Sequence, residues 1–220
     1  QELCQQRKNS YPFTFDRENT DEIKPQRLIE KIGEMTKGQA YVATDVGQHQ
    51  MWVAQYYPFN FGRQIITSGG LGTMGYGIPA GIGVQFAHPD KEVIVFVGDG
   101  GFQMTNQELA ILNEFQLNVK FILINNSSLG MVRQWQESFH GNRRSASVFT
   151  NHPDFIKLAE AYGIKGTKLS NPATFEAELE EAFTYKGPQS IEVVASSSEH
   201  VLPMIPSGMP NHKMIGVKGQ

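Results

Sequence analysis

The sequence is short of several things, and each shortage narrows what it can be. One cysteine, Cys4, stands among 220 residues, which excludes an internal disulfide framework and fits a reducing compartment. Charged side chains make up only 19% of the chain and nearly cancel, leaving a formal net charge of −3. That balance gives neither nucleic acid nor an anionic membrane an electrostatic reason to bind. No apolar run approaches the roughly 18 residues of a membrane span. No charged-then-apolar signal segment opens the chain, and internal repeats and low-complexity tracts are lacking. Residues 1–24 are polar, carry no hydrophobic period and read as a linker, with further sequence expected upstream of Gln1.

What the chain does have is a regular alternation of two hydrophobic patterns. From Pro25, apolar residues Leu28, Ile29, Ile32 and Met35 share one helical face, and Gly38 suits the exit. Ala40–Thr44 is a short strand running into Asp45-Val46-Gly47, and Gly77–Ala87 is a small-residue helix narrow enough to lie close on a sheet. Val93–Val97 is an uninterrupted apolar run, as expected of a parallel strand covered on both faces, and Val119–Ile124 is a second buried strand ending at Asn125-Asn126. Thr105 and Glu108 have capping-box spacing, which predicts a helix from there to about Phe115. Helices over Pro153–Tyr162 and Pro172–Lys186 and a strand over Ser190–Ala195 complete the domain, residues 25–198, before a Pro/Gly-rich tail over 199–220. Strand alternating with helix predicts an α/β fold: a doubly wound, mainly parallel sheet with helices on both faces.

Such sheets bind ligands at the carboxyl ends of their strands, where strand order reverses. Three polar turns fall at strand ends: Asp45–Gln50, Gly98–Gly101 and Asn125–Gly130. Asp99 is a carboxylate between glycines, able to hold a hard cation while Gly98, Gly100 and Gly101 free the backbone to approach an anion. Mg²⁺ takes oxygen ligands and commonly shares them with phosphate. Asn126 adds an amide oxygen from a neighbouring strand end. Carboxylate, amide and helix N-terminus together describe a Mg²⁺–diphosphate clamp.

The GDG triplet at 98–100 with Asn125-Asn126 after it resembles the signature of thiamine-diphosphate enzymes, Asn126 lying 27 positions beyond Asp99. DVGQHQMW (45–52), SGGLGTMGYGIPAGIG (68–83), GDGGFQMT (98–105), NNSSLGMVRQWQ (125–136) and EHVLPMIPSG (199–208) together resemble the C-terminal domain of the acetolactate synthases. The resemblance implies thiamine diphosphate and Mg²⁺ as cofactors, with FAD held by another domain of the full-length enzyme. Pyruvate would be joined to a second pyruvate or to 2-ketobutyrate, at the entry to branched-chain amino-acid synthesis. By the same resemblance, Asp99, Asn126 and the backbone oxygen of Ser128 are the Mg²⁺ ligands. Gln48 and His49 contact the diphosphate, where Gly100 and Gly101 offer backbone N–H groups. Met74 wedges the cofactor into a bent shape, Gly72 and Met131 line its rings, and Val46, Gly47, Gly98, Leu129 and Gly130 are further cofactor-binding residues. Met131, Val132 and Trp135 shape the pocket for the second substrate. The catalytic glutamate of the family belongs to a pyrimidine-binding domain that no segment here resembles, so this chain alone is expected to be inactive. A homodimer or larger assembly through the cofactor site, a possible regulatory small subunit, and a bacterial cytoplasmic (or eukaryotic organellar) location follow as expectations.

Plainer readings stand beside these. Asp-Gly and Asn-Asn are ordinary turn dipeptides, Met74 and Met131 would ordinarily fill a core, and Trp135 would be a packed aromatic. GDG followed by NN is shared with related carboligases and decarboxylases. Gly70-Leu71-Gly72-Thr73-Met74-Gly75 satisfies the G-x-G-x-x-G pattern of dinucleotide-binding folds, with Asp90 downstream. A module serving only for assembly is a further alternative.

Overall fold

The computed structural model describes residues 2–217. In chain order its elements are α1 (Glu2–Ser10), α2 (Pro25–Met35), β1 (Tyr41–Thr44), α3 (Gln48–Tyr56), β2 (Ile65–Thr67), α4 (Gly77–Ala87), β3 (Val93–Gly98), α5 (Asp99–Thr105), α6 (Leu109–Glu114), β4 (Val119–Asn125), α7 (Gly130–Phe139), α8 (Phe155–Ala161), β5 (Lys165–Leu169), α9 (Phe175–Thr184) and β6 (Gln189–Val194). The six strands form one sheet in the order β2-β1-β3-β4-β6-β5, with every pair parallel. The expected doubly wound α/β architecture is what the chain adopts.

Alternation along each strand divides the core in two. Ile94 and Phe96 of β3, with Ile122 and Ile124 of β4, pack under Leu28, Ile29 and Ile32 of α2, Trp52 and Val53 of α3 and Leu179 of α9. Val93, Val95 and Val97, with Phe121 and Leu123, pack against Ile78 and Ile82 of α4, Phe102 of α5, Leu109 and Leu112 of α6 and Phe155 of α8. Gly81 of α4 lies so close to β3 that an added Cβ would collide with the Val95 side chain, which explains the small-residue helix.

From β1 the chain steps outward to the edge strand β2, then returns to place β3 on the other side of β1. The connections after β1 and β3 therefore leave in opposite directions, and a crevice opens between their carboxyl ends. Thr44 of β1 is level with Phe96 of β3, and Gly98 is level with Ile124 of β4. That register brings the three polar turns to one edge.

Several expectations need correcting. Thr105 caps no helix: its hydroxyl donates to Gly75 O (2.9 Å), and α5 begins at Asp99, directly after β3. The segment Asn106–Glu108 is a single 3₁₀ turn leading into α6. Sequence reading gave no helix over Gln48–Tyr56 or Gly130–Phe139 and no strand over Lys165–Leu169. Within residues 1–24, Glu2–Ser10 is an exposed helix with no buried residue. Ile23 is buried and accepts a hydrogen bond from Ser196 N (2.9 Å). Gln1 and residues 218–220, the ends of the expected linker and tail, lie outside the described residues.

Candidate functional site

The crevice between β1 and β3 holds a cavity of about 190 Å³. All fifteen residues expected around a cofactor line it: Val46, Gly47, Gln48, His49, Gly72, Met74, Gly98, Asp99, Gly100, Gly101, Asn126, Ser128, Leu129, Gly130 and Met131. Val132 joins them, with Trp52 and Ile124, which sequence reading had not named. Trp135 does not reach this cavity. It lines a neighbouring, more open hollow with Gln136, His140 and Arg143, and Met131 and Val132 form the wall between the two. Trp135 stands edge-on to Phe139 and remains exposed.

Asp99 is the first residue of α5 and is almost wholly buried. Its Oδ1 accepts from Gly100 N (3.0 Å) and its Oδ2 from Ser128 N (3.1 Å). Those donors favour the ionised form, but burial outweighs them and pushes the carboxyl up to about 7. It is thus a desolvated carboxylate for which a nearby cation would be strongly stabilising. Across from it, Asn126 Nδ2 donates to Gln48 Oε1 (3.1 Å), while its Oδ1 accepts from Ser128 Oγ (3.1 Å). Among the described residues no three His, Cys, Asp or Glu side chains come together. The donor set is therefore one carboxylate, one amide oxygen and backbone. Such a set suits a hard cation that takes its remaining oxygens from a phosphate or water.

Behind the cavity lining is Asp45, which sequence reading placed at a strand end without assigning it a part. It is fully buried, and its Oδ2 accepts from Gly77 N (2.9 Å), tying the start of α4 to the end of β1. Its Oδ1 has no partner and lies where a Cβ on Gly101 would stand, so glycine is required there. His49, in the first turn of α3, is buried, and burial pushes its imidazole down to about 4 against the pull of Asp45. The ring is neutral at pH 7, and its Nε2 is buried without a partner. A neutral imidazole has one N–H, so the tautomer sets whether Nε2 donates or accepts. His152 also escaped sequence reading. Its Nε2 is 3.3 Å from Asp99 Oδ2, and its ring packs against Phe149 and Phe155. It follows a polar loop with no periodicity, so no sequence signal pointed to it.

The other surprise is α7. Its buried residues are Arg133 and Gln134, while Val132, Trp135 and Phe139 face outward. Gln134 reaches back to the site through Gln48 Nε2, which donates to Gln134 Oε1 (2.9 Å). The segment from Glu199 crosses the same face. Glu199 O accepts from Gln48 Nε2 (3.0 Å), and the Glu199 carboxylate accepts from Lys24 Nζ (2.8 Å) and Gln26 Nε2 (2.9 Å).

Residues 45–193 match the family described as thiamine pyrophosphate enzyme, C-terminal TPP binding domain. The chain belongs to that family. As a thiamine-pyrophosphate-binding domain it has its match beginning at Asp45, directly after β1, and running to Val193 within β6, so it contains all three site turns. The domain is 61% identical over 210 residues to the acetolactate synthase large subunit of Lactococcus lactis subsp. lactis, covering 96% of this chain and 36% of that protein. It is 46% identical to the acetolactate synthase large subunit of Haemophilus influenzae, covering 94% and 36%. It is also 46% identical to the acetolactate synthase isozyme 3 large subunit of Escherichia coli, covering 84% and 33%. The chain spans about a third of the length of these relatives. The dinucleotide reading falls at the same point. Gly70–Gly75 follows the edge strand β2, and Asp90 lies in the turn before β3, at the opposite end of the sheet from Gly72.

Proposed function

We propose that this chain is the cofactor-anchoring domain of an acetolactate synthase large subunit and that it holds the diphosphate of thiamine diphosphate through Mg²⁺. The observation that carries this reading is Asp99: a buried carboxylate at the topological switch point, facing Asn126 and Ser128 across one cavity. Asp99 and Asn126 would supply side-chain oxygens to the ion, with Ser128 adding its backbone oxygen. His49 and backbone N–H groups in the first turn of α5 would meet the diphosphate. When bound, thiamine diphosphate supplies a carbon acid whose anion adds to a 2-keto acid and stabilises the charge left by loss of carbon dioxide. Met74 and Leu129 close apolar surface over the cavity and keep water from that carbon. Met131 and Val132 border the hollow of Trp135, which we assign to the acceptor, pyruvate or 2-ketobutyrate.

No glutamate lines the cavity among the described residues. The group that hydrogen-bonds the pyrimidine ring is therefore assigned to another domain across a homodimeric or larger interface, and FAD to a further domain. A regulatory small subunit, and a bacterial cytoplasmic or eukaryotic organellar setting, belong to the same reading. Purified chain given pyruvate, Mg²⁺ and thiamine diphosphate is expected to form no acetolactate, and its appearance would overturn the division of labour. Titration of thiamine diphosphate with and without Mg²⁺ tests the anchor itself; equal affinity in both conditions removes the ion from the site. In a full-length synthase carrying this domain, Trp135→Leu is expected to change the ratio of the two products. An unaltered ratio takes Trp135 out of the acceptor pocket.

A further inference from the structure

An asparagine can serve a cation only through its oxygen. Turned by 180° about its last bond, the amide presents an NH₂ group instead, and the two orientations have nearly the same shape. Packing cannot choose between them, so hydrogen-bond partners must. Ser128 Oγ does not decide, because a hydroxyl donates or accepts as required. The choice at Asn126 passes to Gln48, whose Oε1 accepts from Asn126 Nδ2 (3.1 Å). Gln48 is itself an amide with the same ambiguity.

The ambiguity ends one residue further on. Gln48 Nε2 donates to Gln134 Oε1 (2.9 Å) and to Glu199 O (3.0 Å). Gln134 Oε1 also accepts from Val201 N (2.8 Å), and Gln134 Nε2 donates to Val201 O (3.0 Å). A peptide group cannot be turned: its N–H only donates and its C=O only accepts. Val201 thus fixes Gln134, Gln134 and the Glu199 carbonyl together fix Gln48, and Gln48 fixes Asn126. Gln134 and Val201 are fully buried, and Gln48 and Asn126 nearly so, which leaves little water to substitute for any partner. The end of this chain leaves Asn126 Oδ1 on the side of Ser128, whose own N–H is bonded to Asp99 Oδ2 (3.1 Å).

We propose that Gln134 is a positioning residue that, acting with the Glu199 carbonyl on Gln48, transmits the fixed polarity of the Val201 backbone to Asn126, so that its amide oxygen and not its nitrogen faces the cation site beside Asp99. The proposal rests on the reading of Asn126 as a ligand, and it gives the segment after Glu199 a part in the cofactor site that it nowhere touches through a side chain of the relay. Gly130 belongs to the same device, since a Cβ there would collide with Gln48 Oε1.

Three variants of the full chain test it: Gln134→Leu, Asn126→Asp and the two combined. Aspartate has two oxygens and no orientation to set. Gln134→Leu is expected to weaken Mg²⁺-dependent thiamine diphosphate binding about tenfold, and by less than about threefold when added to Asn126→Asp. An equal loss in both backgrounds, or none in either, overturns the relay. Gln134→Glu guards against misfolding: it keeps the acceptor for Gln48 and Val201 N and sets an oxygen against Val201 O. It is expected to melt lower yet bind within about threefold of the parent; a loss matching that of Gln134→Leu assigns Gln134 to general stability and overturns the proposal. Without any cofactor, ¹⁵N NMR should find the side-chain amide protons of Asn126 and Gln48 protected from exchange, and fast in Gln134→Leu. Unchanged protection overturns the relay. Protection lost without any Mg²⁺-dependent binding in the parent chain would uphold the relay and overturn the ligand reading.

Discussion

Two buried charges sit at opposite ends of the same sheet and are used differently. Lys120, near the amino end of β4, is 3% exposed, and burial pushes its ammonium down to about 8. Its Nζ donates to Tyr185 O (2.7 Å) and Gly187 O (2.8 Å) and lies 5.1 Å from the Tyr185 ring. Asp99, opening α5 at the carboxyl end, is 1% exposed, and burial pushes it up to about 7. Both have their charged form disfavoured by desolvation, so a shifted pKa alone does not distinguish a structural group from a functional one. Their surroundings do. Lys120 spends its donors on the loop that follows α9, closing it onto β4. Asp99 borders a cavity that is also lined by His49 with its buried, unpartnered Nε2, because the chain reverses there and the strand ends splay.

The contrast can be broken by experiment. Asp99→Asn is expected to cost on the order of a hundredfold or more in Mg²⁺-dependent cofactor affinity while leaving the cofactor-free melting temperature unchanged or higher. A cofactor titration and a thermal melt on the same sample decide it, and undiminished affinity would reduce Asp99 to a turn residue. His49 offers an acid-side test at the same end. Its folded pKa of about 4 lies below its unfolded value, so the unfolded chain binds the extra proton first. Stability should fall as pH drops from about 6.5 to about 4, by roughly 3 kcal/mol, and His49→Gln should flatten that part of the urea-midpoint profile. At the other end, Lys120→Met should cost about 1–2 kcal/mol in urea unfolding and nothing in cofactor affinity. A loss of affinity there would erase the distinction. The remaining effect is alkaline: Lys120 holds fewer protons folded than unfolded between about pH 8 and its ordinary value, so its contribution to stability rises with pH through that window. The slope should vanish in Lys120→Met.

Much of the molecule was legible in the sequence where one physical cause dominated. Val93–Val97 is apolar on both faces and Val119–Ile124 is apolar apart from Lys120, because helices cover both faces, and they became the central strands β3 and β4. The GDG and NN turns were visible because strand ends need glycine and short polar residues, and the switch point brings them together. The failures have causes as definite. β5 (Lys165–Leu169) is an edge strand with only Leu169 buried, so it has no hydrophobic run to read. α7 reverses the usual rule, burying Arg133 and Gln134 and exposing Val132, Trp135 and Phe139, so its amphipathic signal points the wrong way. The Thr105–Glu108 spacing was genuine, but Gly75 O captured the threonine hydroxyl and the helix had already begun. Asp45, His152 and Gln134 act through contacts far away in sequence, and no local pattern encodes those.

No loop separates β3 from α5: Gly98 ends the strand and Asp99 begins the helix. The carboxylate therefore has no hinge, and it can move only if the centre of the sheet moves with it. Were a single residue inserted between Val97 and Asp99, each helical position would turn by about 100° and Asp99 would face away from Asn126. Length is thus forbidden to vary here, whereas the exposed stretch 140–146 can lengthen at little cost to the site. The strand is a fixed jaw, and whatever opens to admit a cofactor must be the other one.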